Sequence, residues 1–393
     1  MAGNVRVEQL QPQLRSAGVD VAVIRMTENV LFVSGHFVQI AGAGFVVVPA
    51  EGEATLLVPE YEAPEAAQVW DGELETFPVI RNDRPSALEV VRERLGVLAA
   101  RHANGGTVGY EGSAETLAPP AQAGEASAVA LPTRRLLEEA FGGRELTDVT
   151  ELLEATKAVK TEREHEKLEI ANEIAGFGML AFKEVAARPG RTEVEIAAAV
   201  ETAIEVEGHG YRDARVVRGY ATVYSGPELE NGWQYFRSRP RRVEPGELVM
   251  LELGTLVDGF WADHTRTVAA GRATSEQHAA YDAVRRAAAA AFAAAVPGAT
   301  GGDVDSTSRA TCASAGFEQF PHHTGHGVGF RLHESRPQLV PGSVHELREN
   351  MVIVTEPGIY RAELEGGIRY EDAAVVKHGG VQLLGGTDYE FDD

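Results

Sequence analysis

Apolar residues recur along the first 150 positions with spacings that predict helices and strands in alternation. Residues 5–18 have the three-to-four-residue apolar period of an amphipathic helix, and Gly18 ends it. A second helix is predicted over residues 86–100. Continuous apolar runs predict buried strands at residues 19–24, 42–50 and 53–59. We therefore expect a smaller α/β domain over residues 1–150, without a nucleotide-binding glycine motif.

One order of elements occurs twice after a boundary region at residues 142–149 and a helix at 149–159. It consists of a helix, a Pro-Gly turn, a second helix and then strand-like sequence. The helices are predicted over residues 162–187, 192–208, 275–296 and 304–315. Thr192 and Glu195 have the spacing of a capping box. Pro-Gly turns between helices are also common without a repeat, but the duplication favours a pseudo-twofold domain over residues 151–393, and ligand sites often lie between such halves.

The sequence LVMLELGTLVDGFWADHT predicts a β-hairpin that brings two acidic residues together. Asp258-Gly259 is the dipeptide of a two-residue hairpin turn, and the strands pair outward from it. This count places Glu252 opposite Thr265, so that Asp263 shares a sheet face with Glu252. Two buried carboxylates so close together repel each other unless a cation joins them. A one-residue slip in register would instead turn one of them to solvent.

Histidines and glutamates also interrupt apolar, strand-like sequence further along the chain. Four histidines lie within the twelve residues HHTGHGVGFRLH, among glycines that allow close backbone approach. Glu356 follows the apolar run MVIVT, and Glu371 shares a strand face with Arg369 in GIRYEDAAVV. Imidazole and carboxylate groups are common metal ligands, although Arg369 and Glu371 alone could form a simple ion pair. The spacing does not decide which histidine would bind a metal.

Composition restricts the partners that we expect. Of the 393 residues, 44% are hydrophobic and 24% are charged, which is ordinary for a globular protein. A formal net charge of −23 argues against nucleic acid, whose phosphates need a basic surface. No apolar run reaches the roughly 18 residues that a membrane span needs. The single cysteine, Cys312, fits a reducing compartment, and no signal-like segment opens the chain, so a cytoplasmic protein is expected.

Together these features predict a metal centre. Four carboxylates and a histidine on β-rich segments would be costly to gather without cations, and two divalent ions would balance four carboxylate charges. The predicted carboxylate ligands are Glu252, Asp263, Glu356 and Glu371. Oxygen-rich ligation with one imidazole suits Mn²⁺, Fe²⁺, Co²⁺ or Zn²⁺. A pair of such ions activates water and polarises a carbonyl group, which is hydrolysis chemistry.

Four motifs of the chain resemble those of the creatinase, prolidase and methionine-aminopeptidase superfamily, the pita-bread metallopeptidases. They are GFWADHTRT (259–267), HHTGHGVG (322–329), TEPG (355–358) and RYED (369–372). The resemblance runs from about residue 155 to the C-terminus, and the region before it is similar to the creatinase-type N-terminal domain through weaker motifs. It implies an α+β protein: a C-terminal pita-bread domain, with a curved antiparallel sheet covered by helices, and a smaller N-terminal α/β domain.

The resemblance implies a ligand set for two divalent ions, with Mn²⁺ favoured over Co²⁺, Zn²⁺ and Fe²⁺. Asp263, His326, Glu356 and Glu371 fall on the family's metal ligands, and Asp263 and Glu371 would bridge the ions. Glu356 would also help to move the proton of a metal-bridging hydroxide. A homodimer is implied as well, since members with this N-terminal domain commonly pair through it.

The resemblance also implies roles for three residues outside that ligand set. His333 matches a histidine that contacts the substrate and the tetrahedral intermediate. His322 and Arg369 match positions that contact the substrate in the aminopeptidase branch.

Two positions depart from the family pattern. Glu252 stands eleven residues before Asp263, where the family has a shorter aspartate as its first metal ligand. Tyr235 stands seventeen residues before Glu252, where peptidases carry a histidine. Tyrosine can donate a hydrogen bond but is a poor base at neutral pH. With Trp233 it could form an aromatic wall for a less polar substrate, or it could be a plain buried tyrosine.

Three functions are compatible with these residues. The ligand set favours a metallopeptidase of the Xaa-Pro aminopeptidase or prolidase type, acting on a short peptide. The departures at Glu252 and Tyr235 favour instead an enzyme of the same fold with a non-peptide substrate: a creatinase-like C–N hydrolase, a small-metabolite amide hydrolase or a lyase. A non-catalytic binding protein is the third possibility, and the retained ligands argue against it.

Overall fold

The computed structural model describes residues 5–79, 87–102, 106–117, 120–122, 124–125, 130–227, 237–317, 320–385 and 391–392. The chain separates into two units, Met1–Lys157 and Ala158–Asp393. The boundary predicted after residue 150 falls at the beginning of a helix that the first unit contains, Thr150–Lys157.

The first unit is a mixed sheet with helices around it. Its strands are β1 (Val21–Ile24), β2 (Phe45–Pro49), β3 (Thr55–Pro59), β4 (Glu73–Phe77), β5 (Val108–Tyr110) and β6 (Leu146–Asp148). The helices are α1 (Val5–Ser16), α2 (Thr27–Ser34), α3 (Ala63–Ala66), α4 (Ala87–His102), α5 (Ala114–Leu117), α6 (Ala130–Ala140) and α7 (Thr150–Lys157). The strand order is β4-β3-β2-β1-β5-β6.

Burial explains the sequence pattern of this sheet. The strands β1, β2 and β3 are buried along their whole length, as their continuous apolar runs predicted. The strand β1 pairs antiparallel with β2 and parallel with β5, so it lies inside the sheet. The pattern did not predict α2, because every residue of this helix is buried and no polar face marks its period.

The second unit holds long helices and antiparallel strands. The helices are α8 (Glu162–Ala186), α9 (Glu193–Gly208), α10 (Ser275–Ala294) and α11 (Gly301–Ser314). The strands are β7 (Val217–Ser225), β8 (Leu248–Val257), β9 (Phe260–Ala269), β10 (Gly325–Gly327), β11 (Glu334–Leu339), β12 (Val352–Thr355), β13 (Gly358–Arg361), β14 (Gly366–Arg369), β15 (Asp372–Lys377) and β16 (Gly380–Leu383). The strand orders are β7-β8-β9, β11-β10-β12-β15-β16 and β13-β14.

The predicted repetition of two helices followed by strands is present in this unit. Each of the four helices also begins in the same way, with a threonine side chain that accepts from the third helical residue and a reciprocal bond from that residue. The caps are Thr161, Thr192, Thr274 and Thr300. The helix α11 begins at Gly301, three residues before the predicted start at residue 304, because Thr300 and Asp303 form its capping box. Among the described residues, no helix is both long and apolar enough to span a bilayer.

Candidate metal centre

The hairpin of β8 and β9 carries the first carboxylates of the site. Its register is the predicted one, with Glu252 opposite Thr265 and Gly254 opposite Asp263. Asp258 and its glycine neighbour adopt the positive φ angles, 49° and 91°, that such a two-residue turn requires. Asp263 is completely buried, so the hairpin holds a carboxylate in the interior of the second unit.

A single hydrogen bond orients His326 for metal binding. The Nδ1 atom of His326 lies 2.9 Å from the carbonyl oxygen of Gly327 and therefore carries the proton. The other ring nitrogen, Nε2, is buried and makes no hydrogen bond within the described structure. A backbone bond of this kind is what sets the tautomer of metal-binding histidines. The glycines around His326 are needed for close strand packing, since a Cβ atom on Gly325 would overlap the carbonyl oxygen of Val354.

The two glutamates follow the ends of buried strands. Glu356 lies between β12 and β13, and its backbone N–H donates to the carbonyl oxygen of Thr324 over 2.7 Å. Glu371 lies between β14 and β15, and its backbone N–H donates to the carbonyl oxygen of Thr265 over 3.1 Å. The Thr265 hydroxyl also donates to Oε2 of Glu371 over 2.8 Å. These bonds tie both glutamates to the strands that carry Asp263 and His326.

Asp263, His326 and Glu371 form a group of buried potential ligands. One ligand atom from each lies within 4.8 Å of the others. The Nε2 atom of His326 is 3.7 Å from Asp263 and 3.4 Å from Oε1 of Glu356. Burial, and then the charge of Glu356, raises the pKa of Glu371, while the charge of Arg369 acts in the opposite direction. Within the described part of the chain, Oε1 of Glu371 and Nε2 of His326 have no hydrogen-bond partner, and these unsatisfied atoms fit a divalent cation.

Glu252 lies beside this group rather than in it. Its carboxylate forms an ion pair with the guanidinium of Arg369. Arg369 is itself held in place, since its Nε donates to the hydroxyl of Thr265 over 3.0 Å and another nitrogen lies 3.7 Å from Glu356. A role for Glu252 as a metal ligand stays a prediction.

His323 is a site residue that the sequence did not single out. Its Nε2 atom lies 2.7 Å from Oε1 of Glu356, and the negative charge of that carboxylate raises the pKa of His323 to about 9. Burial alone would raise the pKa of Glu356, but the charge and hydrogen bond of His323 hold it well below its usual value. The sequence feature that points to His323 is the His-His pair at the beginning of the histidine motif. The spacing of that motif does not decide which histidine contacts a metal or a ligand.

His333 and His322 lie on opposite sides of His326 in the sequence and have different surroundings. The His333 ring lies 3.8 Å from that of His326, and its Nε2 is 3.7 Å from Asp263. Burial lowers the pKa of His333 well below its usual value. His322 instead bonds the hydroxyl of Tyr360 through Nε2 and the carbonyl oxygen of His323 through Nδ1, each over 2.8 Å. His333 therefore faces the ligands, and the polar atoms of His322 are already engaged.

The remaining predicted site residues, Trp233 and Tyr235, lie outside the described residues. Their proposed aromatic wall stays a prediction.

Comparison with known proteins places this site in a family. The model of metallopeptidase family M24 matches residues 166–378, which contain all of the potential ligands described above. The chain belongs to metallopeptidase family M24. A model of the creatinase/prolidase N-terminal domain matches residues 6–159. The chain thus has the two-domain architecture of this family, with a C-terminal pita-bread domain, and it is a metal-dependent peptidase.

Individual relatives and structures support the same conclusion over the whole length. The Xaa-Pro dipeptidase of Pyrococcus horikoshii is 30% identical over 99% of this M24 chain and 99% of its own length. The Xaa-Pro dipeptidase of Pyrococcus furiosus is 29% identical over 98% of this chain and 99% of its own length. The prolidase structure from P. horikoshii matches with a TM-score of 0.79 at 27% identity, covering 99% of this chain and all (100%) of its own. The X-Pro aminopeptidase structure from Thermotoga maritima matches with a TM-score of 0.77 at 26% identity, covering 98% of this chain and 99% of its own.

Proposed function

We propose that this M24 peptidase cleaves Xaa-Pro peptides, as an Xaa-Pro aminopeptidase or a prolidase-type dipeptidase. Relatives named Xaa-Pro dipeptidase cover almost the whole chain, 98–99% of it. The observation that carries the proposal is the group of Asp263, His326 and Glu371, with ligand atoms within 4.8 Å and two unsatisfied buried atoms. These are potential ligands for the cation that a metallopeptidase needs.

The proposed cofactor is a pair of divalent ions, with Mn²⁺ favoured by the oxygen-rich ligands. Such ions lower the pKa of a bound water and polarise a substrate carbonyl. Asp263, His326, Glu356 and Glu371 would hold the pair of ions, and Glu252 would have to share its charge between Arg369 and one of them. The Glu252 side chain is 15% exposed, so it has room to turn from Arg369 toward an ion.

The surrounding side chains have roles that follow from their positions. Oε1 of Glu356 is 2.7 Å from a histidine nitrogen, so this carboxylate can accept a proton and pass it on. His333 is 38% exposed and borders Asp263, so it can donate a hydrogen bond to a substrate oxygen. Arg369 lies within 3.7 Å of Glu356 and is held rigidly, which suits a group that orients substrate.

The test is cleavage of Ala-Pro and Ala-Pro-Ala by protein freed of metal with a chelator and reloaded with Mn²⁺. Ala-Ala is the matched control substrate, and an Asp263→Asn variant is the matched control protein. Cleavage of a proline substrate only in the reloaded wild type is expected. Absence of turnover in a sample with measured bound metal would remove the Xaa-Pro assignment.

A non-peptide substrate is the second candidate, and the ion pair of Glu252 with Arg369 favours it. In this ion pair, Glu252 is the side chain that the peptidase pattern assigns to metal, and Arg369 is the one that it assigns to substrate. Tyr235 stands where that pattern has a histidine. A Tyr235→His variant that gains Xaa-Pro cleavage absent from the wild type would identify the residue that diverts the chemistry.

We also propose a homodimer and a cytoplasmic location. Support for the dimer comes from the match of residues 6–159 to the creatinase/prolidase N-terminal domain, through which the family resemblance implies pairing. Support for the compartment comes from a single cysteine, Cys312, which is buried and free. Light scattering after size-exclusion chromatography measures the mass of the protein in solution. A mass near that of one chain, 42.1 kDa, would contradict the dimer.

A further inference from the structure

A nearly buried arginine of α11 holds the segment that leads into β10. Arg309 donates from Nη1 to the carbonyl oxygen of Phe320 and from Nη2 to that of His322, each over 2.6 Å. Its guanidinium also lies over the Phe320 ring, 4.3 Å from the centroid. The Arg309 side chain is only 11% exposed, so these bonds are largely shielded from water. A side chain of the helix thus binds the main chain on both sides of Pro321.

Asp305, one turn earlier on α11, orients this arginine. Both of its carboxylate oxygens accept from Nε of Arg309, over 3.0 and 2.9 Å. Oδ1 of Asp305 also accepts from the buried hydroxyl of Thr324 over 2.7 Å. All three nitrogens of Arg309 are therefore engaged, and the planar guanidinium is the group whose geometry allows this. The pair of Asp305 and Arg309 holds residues 320, 322 and 324 at once.

The segment held in this way reaches Glu356 by two contacts. The carbonyl oxygen of Thr324 accepts from the backbone N–H of Glu356 over 2.7 Å. The Nε2 atom of His323 lies 2.7 Å from Oε1 of the same glutamate. His323 stands between His322 and Thr324, which α11 holds, so the position of its ring follows from the bonds of α11.

We propose that Arg309 is a positioning residue that acts together with Asp305. It fixes residues 320–324, and through His323 and Thr324 it fixes the carboxylate of Glu356. This role rests on the proposed function, in which Glu356 binds metal and accepts a proton. A group that is misplaced by about 1 Å can lower a reaction rate about 100-fold, so the bonds of Arg309 matter although it lies on a helix behind the site.

The experiment compares variants of the full-length, Mn²⁺-loaded protein. Arg309→Lys keeps the positive charge and removes the planar fork of donors. Thr324→Val removes the hydroxyl that donates to Asp305, and Thr324→Ser keeps it. Arg134→Lys is the matched control, because this arginine of α6 also pairs with a carboxylate four residues away but is 53% exposed. Circular dichroism confirms that each variant is folded.

Hydrogen exchange followed by mass spectrometry measures the hold on the segment without any substrate. We expect Arg309→Lys to speed amide exchange in residues 320–326 at least about tenfold, while β8 and β9 keep their rates. Thr324→Val is expected to shift exchange in the same direction by a smaller factor. Thr324→Ser and Arg134→Lys are expected to stay within about twofold of the wild type.

Cleavage of an Xaa-Pro peptide measures the effect on the reaction. Outer partners of metal ligands are worth about 10–100-fold in activity or metal affinity, so kcat of Arg309→Lys is expected to fall by such a factor. Its KM is expected to stay within about threefold, because a misplaced Glu356 impairs the chemical step more than substrate binding.

A double-mutant cycle with His323→Gln separates positioning from general weakening of the fold. If Arg309 acts through His323, its replacement by lysine has less effect once His323 is gone, and the loss of kcat shrinks to within about threefold. A purely structural weakening would instead multiply with the His323 effect. Titration calorimetry of Mn²⁺ gives the same cycle without peptide.

Unchanged exchange of residues 320–326 in Arg309→Lys would overturn the proposal. Multiplicative effects in the cycle on kcat would overturn it as well, as would multiplicative effects on Mn²⁺ affinity if no peptide is cleaved. If Arg309→Lys does not fold, Thr324→Val and Thr324→Ser supply both measurements. Absence of Xaa-Pro cleavage with coupled Mn²⁺ affinities would reject the proposed function and keep this inference, and cleavage with multiplicative effects would do the opposite.

Discussion

Single hydrogen bonds decide what several side chains of the site can do. The bond from Nδ1 of His326 to the Gly327 carbonyl leaves Nε2 as the only lone pair of the ring. In His322 both ring nitrogens are already engaged, by Tyr360 and by a backbone carbonyl. Neighbouring histidines of one motif therefore differ in chemistry because of their local partners, and His326 is the one prepared for a cation.

A substitution at Glu252 tests whether this residue binds metal. We expect Glu252→Gln to lower the Mn²⁺ content of the purified protein by one ion per chain, because an amide is a weak ligand. The count is made by elemental analysis, with Asp263→Asn as the comparison that removes a central ligand. An unchanged count in Glu252→Gln would mean that this carboxylate serves only its ion pair with Arg369.

The thiol of Cys312 is expected to be unreactive in the folded protein. This residue is buried in α11, and burial raises the pKa of its thiol to about 11, from an ordinary value near 9. Since the thiolate is the reactive form, a pKa of about 11 slows disulfide-exchange labelling about 100-fold relative to the unfolded chain. Labelling with a chromogenic disulfide at pH 8, with and without urea, measures both rates, and equal rates would contradict the burial.

At the scale of helices and strands, contacts between a few neighbouring residues likewise fix the helix caps and the β8–β9 hairpin. Thr192 satisfies backbone groups at the beginning of α9 by accepting from Glu195 N over 3.2 Å, and Glu195 returns the bond. The hairpin of β8 and β9 depends on Asp258-Gly259 at its turn for the register that directs Asp263 inward. These local signals specify where elements begin and which faces are buried, so they could be predicted from sequence.

Removal of one cap is expected to destabilise the second unit modestly. Thr192→Ala removes the oxygen that accepts from Glu195, and loss of such a cap costs about 1 kcal/mol. Thr192→Ser keeps the oxygen and is the matched control, expected to stay within a few tenths of 1 kcal/mol of the wild type. Urea unfolding followed by circular dichroism measures both variants. Equal stability of the alanine and serine proteins would show that the cap contributes nothing.

At the scale of the whole molecule, the metal centre joins residues that are far apart in the chain. Asp263 comes from a hairpin of the first repeat, His326 comes from a strand of the second, and Glu371 lies between the strands β14 and β15. The isolated bridge between Thr265 and Glu371 connects these two parts. The site therefore exists only when both halves of the second unit have folded.

The stability of the first unit is expected to fall as pH rises because of Glu111. Its carboxylate accepts from the backbone N–H groups of Arg25 and Met26 and from the side chain of Asn29, but burial still raises its pKa to about 7. The folded state thus binds this proton more tightly than the unfolded state, whose pKa is near 4.5. The stabilisation is fully present below pH 4.5 and is lost as pH rises toward 7, by about 3 kcal/mol in all.

Urea unfolding at pH 5 and pH 8 tests whether the stability falls as pH rises. The free energy of unfolding of Glu111→Gln, relative to wild type, is expected to increase by about 2 to 3 kcal/mol between these pH values, because glutamine has no proton to lose. Glu8→Gln, which changes an exposed carboxylate of α1, is the matched control and is expected to show no such trend. A pH-independent difference for Glu111→Gln would show that its hydrogen bonds outweigh its burial.

The sequence by itself determined the α/β and pseudo-repeated organisation, the hairpin register and the motifs that carry Asp263, His326, Glu356 and Glu371. It could do so because apolar periods, capping residues and turn dipeptides act over a few neighbouring residues. The tertiary structure alone decided that Glu252 pairs with Arg369 and that His323 bonds Glu356. These contacts join residues 117 and 33 positions apart, and no local pattern encodes which of several buried charges will meet.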